Sequence, residues 1–259
     1  MSELVRPQTG PGGRGFKADL AEALRAWRSA PALPVVSALV WGLPSIGIAS
    51  DWYALAVAPL VLLWPGWAGA ERVWYLRAFE GAPFPTRTAR QLTVAFLGRY
   101  LVLGLVAFLP VALVATAVAS TSGDTALLVV VLSVGALVVD VALTFVTPAL
   151  AFSTRSVREA LRRGIATIWE SWPASAPYVL VPPLAVQVVA RFLAGREGGW
   201  TLGAAGVFLP VLLTSLFRGA TARFHLRRHP AGLDGAAFLP RFAELPSDDA
   251  WEGDALDEA

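Results

Sequence analysis

The sequence predicts an all-α fold: a polytopic transmembrane bundle of six helices with two cytoplasmic amphipathic interfacial helices. Three observations lead there. Of the 259 residues, 56% are hydrophobic and 15% charged, against roughly 45–50% and about 25% in soluble domains. Several apolar runs exceed the roughly 20 residues a helix needs to cross a bilayer. The basic residues gather between alternate runs, as they do in cytoplasmic loops.

Taken in order, residues 1–14 hold Gly, Pro and charge without periodicity and are expected to form a disordered cytoplasmic N-terminus. Residues 15–30 follow as a first amphipathic helix. Phe16, Leu20, Leu24 and Trp27 make its apolar face, with Lys17, Glu22, Arg25 and Arg28 mostly off it, and Pro31 closes it. No apolar h-region precedes it, so no cleavable signal peptide is expected.

The transmembrane domain occupies residues 31–229, with spans at about 33–49, 52–70, 92–120, 125–152, 174–194 and 200–222. Pro34, Gly42 and Pro44 are expected to interrupt the first span. Pro59 and Pro65-Gly66 should kink the second, Pro110 should break the third midway, and the fifth runs through Pro177 and Pro182-Pro183. Neighbouring helices can satisfy the carbonyls that proline frees. At the end of the second span, Trp74 and Tyr75 fall where an aromatic belt is expected.

Between the fourth and fifth spans lies STRSVREALRRGIATIWESWP, residues 153–173. Ser156 with Glu159 three residues on is a capping-box signature. Val157, Leu161, Ile165, Ile168 and Trp172 recur at helical spacing, which predicts an amphipathic helix over residues 156–172, lying on the membrane surface and stopped by Pro173. Its Arg155, Arg158, Arg162 and Arg163 are candidates for contact with anionic lipid head groups, at roughly 1 kcal/mol each, or with a soluble partner. The plainer reading of these arginines is ordinary topology determination.

Orientation follows from charge. By this span assignment 19 of the 21 basic residues fall on one side, and Arg191 and Arg196 alone on the other. That places both termini in the cytoplasm of a multi-pass protein of the cell (plasma) membrane. The outer turns at 50–51, 121–124 and 195–199 are too short for an external domain. The cytoplasmic tail, residues 230–259, carries eight acids and one Arg, which leaves the rest of the chain with a surplus of nine positive charges. A basic body of this kind is drawn to anionic lipid.

Candidate chemistry is sparse. Asp140 sits midway along the fourth span, roughly 18 Å from its end. A charge there costs at least about 2.5–3.5 kcal/mol, so it should face the bundle interior and find a partner. Arg99, in the third span, is the expected partner. The Asp140–Arg99 pair could relay a proton or substrate, or clamp two helices structurally. His225 and His229 share a helical face but lack a third ligand nearby, so they read as interfacial rather than metal-binding. Gly199, Gly203 and Gly206 favour close helix packing. Glu22-Ala23-Leu24-Arg25 and Glu159-Ala160-Leu161-Arg162 hint at a parallel repeat of the kind found in transporters, or at coincidence in an Ala/Leu/Arg-rich chain.

There is no cysteine, no phosphate-cradling Gly-rich loop, no HExxH and no nucleophile elbow. The sequence therefore predicts no catalytic residue, no metal, no cofactor and no enzymatic activity.

Two stretches carry a family resemblance. EALRAWRSAPALPV (22–35) leads into the first span, and TPALAFSTRSVREALRRGIATIWESWP (147–173) leaves the fourth. Together they resemble bacterial six-span membrane families, the YciC-like proteins and the membrane domain fused to some glycerophosphodiester phosphodiesterases. The resemblance implies an integral membrane protein and transfers no catalytic residue. It leaves the role unassigned; the basic cytoplasmic face suggests a membrane-organising or accessory role, with membrane lipids and a cytoplasmic protein as expected partners and no nucleic acid. The competing expectation is a permease subunit of an ATP-driven, export-type transporter. In that case the helix at 156–172 would be the coupling helix and an ATPase subunit the partner.

Overall fold

A computed structural model describes residues 15–49, 63–194 and 199–229. The expected disordered arm (1–14), most of the second span (52–62), part of the last outer turn (195–198) and the acidic tail (230–259) lie outside the described residues. Among the described residues there are eight helices: α1 (Phe16–Ser29), α2 (Ala32–Ala49), α3 (Trp64–Phe79), α4 (Thr86–Thr121), α5 (Thr125–Phe152), α6 (Val157–Glu170), α7 (Ala176–Ala194) and α8 (Gly199–Arg228). Four stretches are long and apolar enough to cross a membrane: Thr86–Thr121, Thr125–Phe152, Ala176–Leu193 and Ala205–Arg228.

The helix boundaries follow local chemistry. At the α4–α5 turn Gly123 takes φ +62°, a left-handed conformation open to glycine. Asp124 then caps α5, its Oδ1 accepting from the backbone N–H of Ala126 at 2.8 Å. Ser156 caps α6, accepting from the N–H of Glu159 at 3.5 Å. The prolines differ from expectation. Pro110 does not break the third span, because α4 is continuous across it, and α2 runs unbroken through Pro34 and Pro44. Proline removes one hydrogen bond and crowds the carbonyl four residues back, and packing can absorb that local loss without ending a helix.

The core gathers at one end of the molecule. Ala23 and Ala26 of α1, Trp67, Val73 and Tyr75 of α3, Phe96 and Tyr100 of α4, Val146, Ala149, Leu150 and Phe152 of α5, and Ala160 of α6 are all buried together there. Phe145, Tyr178, Ala220 and Phe224 form a smaller cluster alongside. The far halves of α4 and α5 are bare, with Leu105, Leu109, Leu113, Val129, Val134 and Val138 all exposed. So much contiguous apolar surface would drive association in water. A lipid environment covers it.

Trp74 and Tyr75 do not form an aromatic belt. Tyr75 is fully buried and Trp74 nearly so. Trp74 stacks on Phe84, ring centroids 4.7 Å apart. Both rings sit on the side of α3 that meets its neighbouring helices, where aromatic area is worth more buried than at an interface.

Among the described residues, close helix packing rests on Gly164 and Gly66, which are not among those expected. A Cβ on Gly164 would lie 2.6 Å from both Cα and N of Val146, backbone atoms that cannot move aside. This lets α6 fold back along the last two turns of α5. A Cβ on Gly66 would meet the Thr93 carbonyl oxygen at 2.1 Å, so α3 and α4 touch backbone to backbone. Gly206 has open space around it, and the surroundings of Gly199 and Gly203 fall outside what is described. Gly164→Ala should therefore lower stability by about 1–3 kcal/mol, the usual range for overpacking. Gly206→Ala should leave it unchanged or slightly raised. Thermal unfolding of the detergent-solubilised protein, followed by size-exclusion chromatography, checks both.

Candidate functional site

The most concentrated chemistry lies in a polar layer where six helices meet. Its centre is Glu71 on α3, which has no exposed surface. Ser215 of α8 donates to Glu71 Oε1 at 2.6 Å, and Arg218 Nη1 donates to Oε2 at 3.1 Å. One turn along α3, the Tyr75 hydroxyl donates to the Ser215 carbonyl at 2.9 Å. The same hydroxyl accepts from the Trp27 indole N–H of α1 at 2.6 Å. The Arg218 guanidinium lies 4.0 Å over the ring of Trp41 on α2.

Next to Glu71, Arg72 is also buried and reaches the opposite way. Its Nη2 donates to the Thr147 hydroxyl of α5, and Nη1 to the Arg218 carbonyl at 3.5 Å. Tyr100 of α4 donates to the Thr147 carbonyl at 2.7 Å. Burying charge is costly unless pairing and hydrogen bonds compensate it; both Glu71 oxygens are matched here, while Arg72 Nε and the Trp41 indole N–H have no partner among the described residues.

A second polar seam holds α1 against α8. Asp19 and Glu22 are both buried, with Ala23 and Ala26 completing the face. Asp19 pairs with Arg227 and accepts from the Tyr178 hydroxyl, and Glu22 pairs with Arg223. Burial pushes the Asp19 carboxyl above its ordinary range, and the Tyr178 hydrogen bond and the Arg227 charge pull it back. The expected apolar face of α1 is thus corrected. Glu22 points inward and Leu24 is exposed, because the surface that α8 offers at this level is cationic.

His225 is buried, its Nε2 2.9 Å from the Ser153 hydroxyl. His229 Nε2 is 3.4 Å from the Thr167 hydroxyl. The two rings, 4.7 Å apart, tie the end of α8 to the α5–α6 corner.

Asp140 and Arg99 are not brought together. Arg99 lies over the Phe96 ring at 5.1 Å and feels the like charge of Arg155. It is Tyr100, about 100° further round the helix, that takes the position facing α5. Asp140 is exposed rather than turned into the interior. Among the described residues its carboxylate makes no hydrogen bond or ion pair, and the charges that act on it are those of Arg218 and Arg72.

On α6, Arg162 donates to both oxygens of Glu159 at 2.9 and 2.8 Å, and Arg163 donates to Oε1 at 2.7 Å. These bonds hold the Glu159 carboxyl far below its usual range, at about 2. They also draw it away from the reciprocal half of the capping box. The Ser156 N–H goes instead to the Thr154 hydroxyl at 3.1 Å. Arg155 and Arg158 are exposed. The packed face of α6 consists of Ala160, Gly164 and Thr167. Of the residues expected on its apolar face, Ile165 and Trp172 are exposed, as is Trp169 at 75%. The two EALR segments agree in detail, each with a buried Ala and a Glu–Arg pair at i, i+3. They dock on different helices, α1 on α8 and α6 on α5.

No protein-family model, curated protein or solved structure matches the chain. What the chain does is therefore read from its own geometry. Glu71, Arg72, Ser215 and Arg218 escaped the sequence reading as site residues because Glu71 and Arg72 resembled ordinary charges at a span exit, and Tyr75 sits where an aromatic belt is expected. The available signal was ERVWY itself, adjacent opposite charges followed by aromatics with no Gly or Pro to mark a loop.

Glu71→Ala would leave Arg218 without its carboxylate. The expected loss is at the lower end of about 3–5 kcal/mol, because the Arg218 side chain is 25% exposed. Thermal unfolding in detergent measures it, with Glu71→Gln expected to lose less. Glu159 has a depressed folded pKa, so what its pairs contribute is complete above its unfolded value of 4.5 and is lost as pH falls toward about 2. Carboxyl NMR of Glu159 should show a midpoint near 2, and Arg162→Gln should raise it.

Proposed function

We propose that this is a non-enzymatic integral membrane protein of six spans with both termini cytoplasmic. In this reading its basic cytoplasmic face contacts anionic lipid in a membrane-organising or accessory role. The four long apolar helices supply four spans. The other two come from α2 and from the stretch that leads into α3. α1 and α6 lie at the cytoplasmic membrane surface.

The supporting observation is the open side of α6. Trp169, Trp172 and Ile165 form an exposed apolar stripe, and exposed Arg158 and Arg162 continue the same line at helical spacing toward the start of α6, with Arg155 beyond. Indole rings favour the head-group region, where an apolar body and a polar N–H both find their medium. Arginine side chains can lay their methylenes along the acyl boundary while the guanidinium meets phosphate. Because Gly164 clamps α6 onto α5, the stripe is presented by a helix that cannot roll away.

The test is lipid selectivity in reconstituted bilayers, read with spin-labelled phosphatidylglycerol and phosphatidylcholine. At roughly 1 kcal/mol per arginine, Arg155→Gln/Arg158→Gln/Arg162→Gln should lower the relative preference for phosphatidylglycerol by on the order of 100-fold if all three act fully. Trp169→Ala/Trp172→Ala should weaken association of both lipids. An unchanged selectivity in the triple variant sinks the proposal.

A further inference from the structure

Between α2, the start of α3 and α8 there is a cavity of about 160 Å³, lined by Trp41, Trp64, Pro210, Val211, Thr214 and Arg218. We propose that it holds a single oxyanion group, phosphate or carboxylate, with the Arg218 guanidinium as its ligand and the two tryptophans as its walls. This site is separate from the surface of α6 and does not rest on the reading given for it.

The first argument is an inventory of donors. Arg218 has five N–H donors in a fixed fork. Nη1 serves Glu71, and among the described residues no acceptor meets Nε or Nη2. The side chain is 25% exposed and borders the cavity. In a water-poor setting an unmet charged donor is expensive, and an oxyanion matches the geometry of the fork.

The second argument is charge. The polar layer holds two guanidinium groups, Arg72 and Arg218, and one carboxylate, Glu71. Arg72 has a hydroxyl and a carbonyl for partners. Asp140 acts on both arginines from beyond ion-pair distance and is not part of the cavity lining. Among the described residues Arg72 is therefore the guanidinium without a carboxylate in contact, and Arg218, which borders the cavity, adds its charge to a layer that holds one carboxylate.

The walls narrow the ligand class. Trp41 lies under the guanidinium, and its ring centroid is 5.2 Å from that of Trp64. The Trp64 indole donates to the Val40 carbonyl at 2.7 Å, which fixes that ring. The Thr214 hydroxyl donates to the Pro210 carbonyl, so it offers no proton to a ligand. The site thus has one cationic fork and otherwise apolar surface. At roughly 30 Å³ per water, about 160 Å³ holds about five water-sized groups, which suits one phosphate or a carboxylate with its first carbons. Arg218 lies ten residues before the end of α8, about 15 Å along the helix, within reach of a lipid in the cytoplasmic leaflet. An amphiphile's head group and a free oxyanion share the recognising chemistry.

Native mass spectrometry of the full-length protein in detergent tests this, with phosphatidylglycerol, oleate, phosphatidylcholine and inorganic phosphate as separate probes. The expected result is one equivalent of phosphatidylglycerol or oleate retained in preference to phosphatidylcholine. Val211→Phe and Thr214→Phe fill the cavity and leave the Glu71–Arg218 pair intact. Each should lower retention by about tenfold or more, as expected of a ligand shut out of its pocket, while the melting temperature holds. If inorganic phosphate displaces the lipid, a bare oxyanion suffices. If it does not, the acyl chain contributes. Arg155→Gln/Arg158→Gln/Arg162→Gln should retain the bound equivalent, so this site and the α6 surface can fail separately. Equal retention of phosphatidylcholine, or wild-type retention in both filled variants, overturns the proposal, and so does retention of no anion at all.

Discussion

A carboxylate with no exposed surface has to be neutralised where it sits, and much of this molecule is arranged around doing that for Glu71. Ser215 and Arg218 reach it from α8. Tyr75 bonds the same turn of α8 one helical turn later, and Trp27 draws α1 onto Tyr75. Because each group in the layer has few alternatives in an apolar setting, the register of α3 against α8 is set by hydrogen bonding rather than by the shape of leucine and valine side chains. The close seat of Tyr75 over Gly219, where a Cβ would meet the ring at 2.4 Å, follows from that register. Polar layers of this kind specify arrangement more than they add stability.

The packed end and the bare end differ in what holds them. At the packed end, helices approach through glycine and alanine: Gly66 at Thr93, Gly164 at Val146, and Ala23 and Ala160 with no exposed surface. At the bare end, α4 and α5 diverge from the bundle and present Leu and Val outward. Lipid tails are as apolar as these side chains, so no hydrophobic force draws them together there. Association concentrates where backbones can touch and polar groups can pair.

The same division separates the two proposed anion contacts. In the proposed reading, the open side of α6 would act through several exposed charges, each screened and individually weak. The proposed site at Trp41, Trp64 and Arg218 would act through one guanidinium with its donors only partly used, in surroundings where a single contact counts for more. Glu71 bears on the cavity alone. By holding Arg218 on one side, it sets the direction in which the remaining N–H groups point.

The sequence by itself determined what depends on composition and local periodicity. Helical class, the long apolar helices at 92–120 and 125–152, the Asp124 turn and the Ser156 cap all follow from residues close together in the chain. Tertiary structure decided which side of each helix faces which neighbour. Arg99 and Tyr100 are adjacent in sequence, yet only Tyr100 meets Thr147, and Asp140 lies near the charges of Arg72 and Arg218, helices away in sequence. Glu22 looked solvent-facing until α8 supplied Arg223. Ile165 and Trp172 share the expected apolar face of α6 and are exposed, and it is Gly164 that meets α5. These outcomes depend on rotations of about 100° per residue and on partners from 18 positions away, for Gly164 and Val146, to 201, for Glu22 and Arg223, quantities that no local pattern contains.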